Sequence, residues 1–307
     1  MKATAANEIV VSRVFDAPRE LVFSMWTSAE HLGNWWGPHG FTITTHSFDF
    51  RPGGEWVFVM HGPDGTDYRN HIVYGEIDPP NRIAYQHVSG PLFDAEAAFE
   101  ARGEKTEVTL RMTFATAELR DRVVEQYGAI EGGKQTLERL AEMVAEAFVI
   151  TRTFDAPREL MFRVWTEVEH LRHWWGPKGM KVVHCTSDPR PGGAMHYGLQ
   201  GPDGGMMWAR WIFTEVVPPE RLSFLASFSD EAGGMVRAPF FDGGWPMEVL
   251  STITFTEGGG KTTLKMVGVP IRATDAERAM FRGAHPSMQG GWSGTLEQLT
   301  AYLETQS

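Results

Sequence analysis

Cysteine is almost missing from this chain. Cys185 is the only one in 307 residues, which excludes an intrachain disulfide and any cysteine-rich metal site. Basic clusters are missing as well: 28 Lys and Arg stand against 39 Asp and Glu, a net charge of −11. Nucleic acid needs a clustered basic face and an anionic membrane surface needs a Lys/Arg patch, so neither partner is expected. No apolar run is long enough to span a bilayer, so no membrane insertion is expected. Met1-Lys2-Ala3-Thr4-Ala5-Ala6-Asn7-Glu8 carries no apolar signal core, and the expected location is cytoplasmic. Low-complexity tracts are also lacking. What remains, 42% hydrophobic and 22% charged residues, suits a soluble protein of two ordinary domains.

The chain does contain a repeat. Glu30-His31-Leu32-Gly33-Asn34-Trp35-Trp36-Gly37-Pro38 returns as Glu169-His170-Leu171-Arg172-His173-Trp174-Trp175-Gly176-Pro177, 139 residues later (174 − 35). The same offset carries Phe15-Asp16-Ala17-Pro18 onto Phe154 through Pro157, and Arg51-Pro52-Gly53-Gly54 onto Arg190 through Gly193. A register kept over so many motifs is a duplicated domain. The expected domains are residues 1–147 and 148–307, the second with about fifteen extra residues around 228–246.

Each copy reads in the same order. Glu8 to Phe15 has strand composition. Asp16, Pro18 and Glu20 suit a helix start, with Asp16 placed to cap, and a second short helix runs into Trp35-Trp36. Six strands follow, separated by turn signals such as Arg51-Pro52-Gly53-Gly54 and Gly62-Pro63-Asp64-Gly65. A long helix is predicted from about Ala117 to Ala147, weakest at Gly132-Gly133. In the second copy Thr274-Asp275-Ala276-Glu277 is a capping-box pattern. Gly283, Pro286, Gly290 and Gly291 predict a kink or break after it. This is an α+β chain of two curved antiparallel sheets, each with two short helices and one long C-terminal helix, and with space for a ligand between sheet and long helix.

Phe-Asp-Ala-Pro at 15 and 154, Trp26 and Trp165, the Trp-Trp-Gly-Pro blocks, and Asp49-x-Arg51-x-Gly53-Gly54 with Asp188-x-Arg190-x-Gly192-Gly193 carry a resemblance. So do Pro79-Pro80-x-Arg82 and Pro218-Pro219-x-Arg221. Together they resemble the family of the C-terminal domain of the Hsp90 ATPase activator, in the START-like (Bet v 1-like, SRPBCC) superfamily. Gly291-Trp292-x-x-Thr295-Leu296-x-x-Leu299 is similar to that family's final-helix signature, and Gly133 stands where the first copy would have the tryptophan. The resemblance implies a tandem pair of helix-grip domains. Since a fold does not fix a function, it leaves three readings. The first is a binding protein for a small, mostly apolar molecule. The second is a cyclase/dehydratase-type enzyme using a polar group such as His87 or His285. The third is a partner of an Hsp90-type chaperone.

The candidate site residues come from strand alternation. Trp56, Phe58 and Met60 share one face, with Met195, Tyr197 and Leu199 at the matching places; Ile72 becomes Trp211, Tyr85 becomes Phe224, and His87 becomes Ala226. The extra segment adds Phe228, Phe240, Phe241 and Trp245, and the last helix adds Met280, Phe281 and Met288. Aromatic mass in a loop and adaptable methionines suit an apolar guest. The extra segment is read as a lid over the mouth between sheet and helix, the alternative being a seal between the two copies, and the second copy is expected to hold the larger pocket. The Trp-Trp pairs, Asp49 with Arg51 and Asp188 with Arg190 are read as structural. His170 and His173 have no third ligand nearby, so no metal is expected. No cofactor and no catalytic set are assigned; nothing forms a Ser-His-Asp triad, a carboxylate pair or a phosphate-binding glycine loop.

Overall fold

The computed structural model describes residues 5–306. The chain divides into two compact units, one ending at Ala145 and the next beginning at Glu146. The first contains β1 (Glu8–Phe15), α1 (Arg19–Ser24), α2 (Ala29–Trp35), β2 (Thr42–Phe48), β3 (Glu55–His61), β4 (Asp67–Asp78), β5 (Arg82–His87), β6 (Phe93–Arg102) and β7 (Lys105–Thr113), then α3 (Ala117–Tyr127) and α4 (Ala129–Glu146). The second runs β8 (Phe148–Phe154), α5 (Arg158–Thr166), α6 (Val168–Trp174), β9 (Lys181–Ser187), β10 (Ala194–Gln200), β11 (Met206–Val217), β12 (Arg221–Phe228), β13 (Glu248–Gly258), β14 (Lys261–Ile271), α7 (Asp275–Gly283) and α8 (His285–Leu303). Each unit has one seven-stranded sheet, ordered β1-β7-β6-β5-β4-β3-β2 and β8-β14-β13-β12-β11-β10-β9. Every pairing is antiparallel. The α+β class stands. Among the described residues no helix is long and apolar enough to cross a membrane.

Two local expectations need correction. The long C-terminal helix is split in both copies. In the first it breaks at Gly128, whose left-handed backbone (φ 59°) closes α3, while Gly132 and Gly133 lie inside α4. Glycine tolerates the left-handed cap, and a helix interior can absorb two glycines once packing holds it. In the second the break falls at Ala284, with Pro286 in the first turn of α8 and Gly290-Gly291 inside it. Asp16 also does not cap α1: Pro18 occupies the N-cap, and the Asp16 carboxylate pairs with Lys105 at 3.3 Å. The Thr274–Glu277 capping box forms as read.

The same ties recur in both copies. The Trp35 indole donates to the Met25 carbonyl at 2.9 Å, and Trp174 to Val164 at 3.0 Å, so one tryptophan of each pair pins the second short helix to the first. The Thr106 hydroxyl donates to Ala17 and Thr262 to Ala156, both at 2.7 Å. At the Pro-Gly-Gly turns Arg51 pairs with Asp49 and Arg190 with Asp188, each at 2.9 Å. A Cβ on Gly54 or Gly193 would lie 2.1 Å from the carbonyl oxygen of that aspartate. Only glycine fits there, because the obstacle is backbone.

Past the insertion the offset between copies grows to 159 residues by Leu137 and Leu296 (296 − 137). This makes Arg139 and Gln298 equivalents, and both grip the Trp-Trp-Gly-Pro loop. Arg139 donates to the carbonyls of Asn34, Trp36, Gly37 and Pro38 at 3.0–3.3 Å. Gln298 reaches only Trp174 and Gly176. His170 accepts or donates to the Tyr302 hydroxyl at 2.8 Å, and His173 stacks on the Tyr302 ring. No cluster of three metal-ligating side chains occurs among the described residues.

Candidate ligand cavities

Each unit has a cavity between sheet and C-terminal helices, and the two are unlike. The first measures about 590 Å³ and is lined by Trp36, Phe58, Met60, Ile72, Tyr85, His87, Phe93 and Val123, with Tyr68, Asn70, Gln126 and Tyr127 among its polar members. The second measures about 190 Å³ and is lined by Phe148, Tyr197, Ala209, Ala226, Phe228, Trp245, Ser251, Phe281, Met288 and Trp292, among others. The expectation of a larger second pocket is therefore wrong. The aromatic mass counted as a lid fills space instead. Trp292 stands where the first copy has Gly133, and its ring lies 5.8 Å from Trp175. Trp175 is buried, whereas its equivalent Trp36 stays half-buried and faces the first cavity.

The exchange is compensated on the sheet. A Cβ on Gly133 would meet Val11 at 3.2 Å and Met112 at 3.9 Å, so α4 rests on a methionine. In the second copy that strand position is Gly268, which leaves room for the Trp292 indole. Large-on-strand with small-on-helix has become the reverse, and the free volume changes with it.

The insertion joins the wall of the second cavity. Phe228, Phe240, Phe241 and Trp245 form a chain of ring contacts 4.9–5.1 Å apart that ends on Phe281 of α7, 5.2 Å from Trp245. An ion pair from Arg237 to the carboxylate of Glu277 ties the same loop to α7.

Not every candidate residue reaches a cavity. Phe58, Met60, Tyr85 and His87 line the first, and Tyr197, Phe228, Trp245, Phe281 and Met288 the second. Trp56, Met195, Trp211 and Phe224 are buried behind the lining, with Trp211 stacked on Phe224 at 3.8 Å. Met280 is 38% exposed; one residue along a helix is a turn of about 100°, so Phe281 faces in and Met280 out. His285 packs against Phe148 and Phe281 without lining the cavity.

Alternation missed the polar end of the first cavity. On β4, Tyr68, Asn70, Ile72 and Tyr74 share one face, and Asn70 is the residue that should have stood out. His87 is 7% exposed. Its Nδ1 donates to the Pro91 carbonyl at 2.9 Å, its Nε2 lies 2.9 Å from Asn70 Oδ1, and its ring stacks on Phe93 at 4.8 Å. Burial holds the imidazole below its ordinary pKa, against the pull of the Pro91 carbonyl and with the help of nearby His71. With Nδ1 carrying the proton, a neutral ring can only accept at Nε2, and the hydroxyl of Ser89, 3.4 Å away, is the donor within reach, because the Asn70 amide nitrogen donates to the Tyr68 carbonyl at 2.8 Å. Tyr85 is 5% exposed, its hydroxyl makes no hydrogen bond among the described residues, and burial raises its pKa. The equivalents of Asn70, Tyr85 and His87 are Ala209, Phe224 and Ala226.

Solved structures offer likenesses over about half of the chain and over nearly the whole. Protein Ms6760 from Mycobacterium smegmatis is 28% identical over 52% of this chain and 92% of its own, with a TM-score of 0.43. Protein NE0264 from Nitrosomonas europaea is 25% identical over 46% of this chain and 95% of its own, again at 0.43. The di-domain ARO/CYC StfQ of the steffimycin biosynthetic pathway is 14% identical over 97% of this chain and 98% of its own, also at 0.43. No curated protein matches the chain. The family described as Activator of Hsp90 ATPase homolog 1-like protein matches residues 16–145 and again 155–304. The chain belongs to that family, which it carries twice in tandem.

Proposed function

We propose that the first copy is a binding domain for a small, mostly apolar molecule with one polar end. One observation carries this reading: a cavity of about 590 Å³ with aromatic walls has buried Tyr85 and His87 in its lining, with Asn70 beside His87. Volumes of about 300–1,000 Å³ with few, placed polar groups are typical of ligand sites. His87, Asn70 and Tyr85 are not needed for packing, because the second copy folds with Ala226, Ala209 and Phe224 in their places. A buried hydroxyl left unpaired costs about 1–3 kcal/mol, and a guest that bonds Tyr85 offsets that cost. The aromatic walls hold the apolar body and the polar end sets its orientation.

The test is titration with 2-naphthol, a compact apolar probe with a hydroxyl, followed through quenching of tryptophan emission, with native mass spectrometry of freshly purified protein alongside. Binding should weaken about tenfold in Tyr85→Phe and His87→Ala, the scale of one hydrogen bond. Equal binding by the parent and both variants would remove the assignment.

A further inference from the structure

The second cavity is built from different chemistry, and it does not depend on the reading of the first. Three hydroxyl residues line it: Ser227 accepts from the Arg210 guanidinium at 3.3 Å, and the other two are Tyr197 from β10 and Ser251 from β13. Both side chains are more than nine-tenths buried, at 8% and 7% exposure. Neither of these last two hydroxyls donates a hydrogen bond among the described residues. The first copy has Phe58 and Ala95 at these positions, so the scaffold folds without either oxygen.

The surroundings of Tyr197 say what is missing. The indoles of Trp175 and Trp211 stand edge-on to its ring, at centroid distances of 5.4 and 6.3 Å. Their N–H groups lie close enough to the phenol oxygen to oppose the effect of burial on it, yet Trp175 Nε1 closes no hydrogen bond. An indole nitrogen only donates. Opposite Tyr197 on β9 is Cys185, whose sulfur is a weak acceptor. The phenol proton thus has donors around it and no good acceptor, and the Ser251 proton likewise has no acceptor.

No charged side chain lines this cavity among the described residues, so the guest is neutral. Its size follows from the volume: an apolar cavity of about 150 Å³ holds benzene, and about 190 Å³ holds one ring with a short substituent. Water fits less well. Each buried water wants two to four polar partners, and two unpaired hydroxyls, with Ser227 already held by Arg210, cannot satisfy the several waters this volume would take.

We propose that the second copy is a separate ligand site for a neutral, single-ring molecule bearing an acceptor oxygen, a carbonyl or ether, bonded by Tyr197 and Ser251. The protein then holds two guests of different size and polarity, one per copy.

The experiment compares acetophenone with ethylbenzene, nearly the same shape with and without the carbonyl. Indole N–H signals of the isotope-labelled full-length protein are followed by NMR, which separates the copies. Trp245 and Trp292 report on the second cavity, Trp36 on the first. Acetophenone should shift Trp245 and Trp292 and bind about tenfold more tightly there than ethylbenzene, the scale of a buried hydrogen bond. Tyr197→Phe, which installs the residue of the first copy, should erase the preference and leave ethylbenzene unchanged. Ser251→Ala should reduce the preference and serves as the second variant if Tyr197→Phe melts early. Equal binding of the two probes, no binding of either, a preference that survives both variants, or shifts confined to Trp36 would each overturn the proposal.

Discussion

The two copies share their ties and differ in their contents. Trp35 and Trp174 make the same bond to the same turn, as do Thr106 and Thr262. Around the cavities, by contrast, Gly133 is replaced by Trp292, Met112 by Gly268, Ile72 by Trp211, and His87 by Ala226. A duplicated domain therefore separates what holds the sheet to its helices from what fills the space between them. Backbone carbonyls fix the first set, since each tie needs a donor at one place. Only summed volume fixes the second, so several side-chain combinations serve.

The equivalence of the ties can be broken first by removing the largest. Trp35→Ala and Trp174→Ala should each destabilise their own unit by about 3–5 kcal/mol, the usual cost of emptying an aromatic core site. Calorimetry should show matching losses; a gap of more than about 2 kcal/mol between them would deny that the two sites are equivalent.

Arg139→Ala comes next, at roughly 2–4 kcal/mol, because it leaves several loop carbonyls without a donor. Gln298→Ala should cost only about 1 kcal/mol, since Gln298 reaches fewer carbonyls. Denaturant midpoints that put Gln298 above Arg139 would reverse this ranking.

The volume exchange gives a third, smaller effect. Gly133→Trp alone should cost about 1–3 kcal/mol by overpacking against Val11 and Met112, and adding Met112→Gly should return part of it. The double variant should also lose 2-naphthol binding. Strict additivity of the two changes would mean that helix and strand positions do not share one space.

The smallest effect is the pH dependence that His87 gives the first copy. The folded-state pKa of His87 lies below its ordinary 6.5, so between those values the unfolded chain binds more protons. Stability from the buried neutral ring is complete above about pH 6.5 and is lost as pH falls through that window. His87→Ala should flatten the part of the first unit's stability that depends on pH below about 6.5; an unchanged slope would mean that His87 does not titrate on unfolding.

Much of this was legible from residues and some was not. The strands, the turns and the Thr274–Glu277 capping box follow from local chemistry, and the duplicated register led to the fold class. The relative size of the cavities did not follow. Phe241 and Trp245 looked like a lid because loops seldom carry aromatics, but whether an aromatic covers space or occupies it depends on what faces it. Gly133 opposite Trp292 was visible as a departure from the pattern, yet its partner change, Met112 to Gly268, lies on another element and shows only in three dimensions. Gly128 was overlooked beside Gly132-Gly133 because composition does not say which glycine takes the left-handed conformation. Asn70 sat in plain view on an apolar face.

The Pro-Gly-Gly turns have a consequence for how such a chain can diverge. At Gly54 and Gly193 the obstacle to a side chain is a carbonyl oxygen of the same loop, 2.1 Å from where a Cβ would sit. A crowded side chain can be relieved by trimming its neighbour, but a backbone atom offers no such neighbour to trim. Those two positions are closed to every substitution, whatever changes elsewhere. Drift between the copies is thereby forced away from the turn and into the interior, where one bulky residue can be traded for another across the gap.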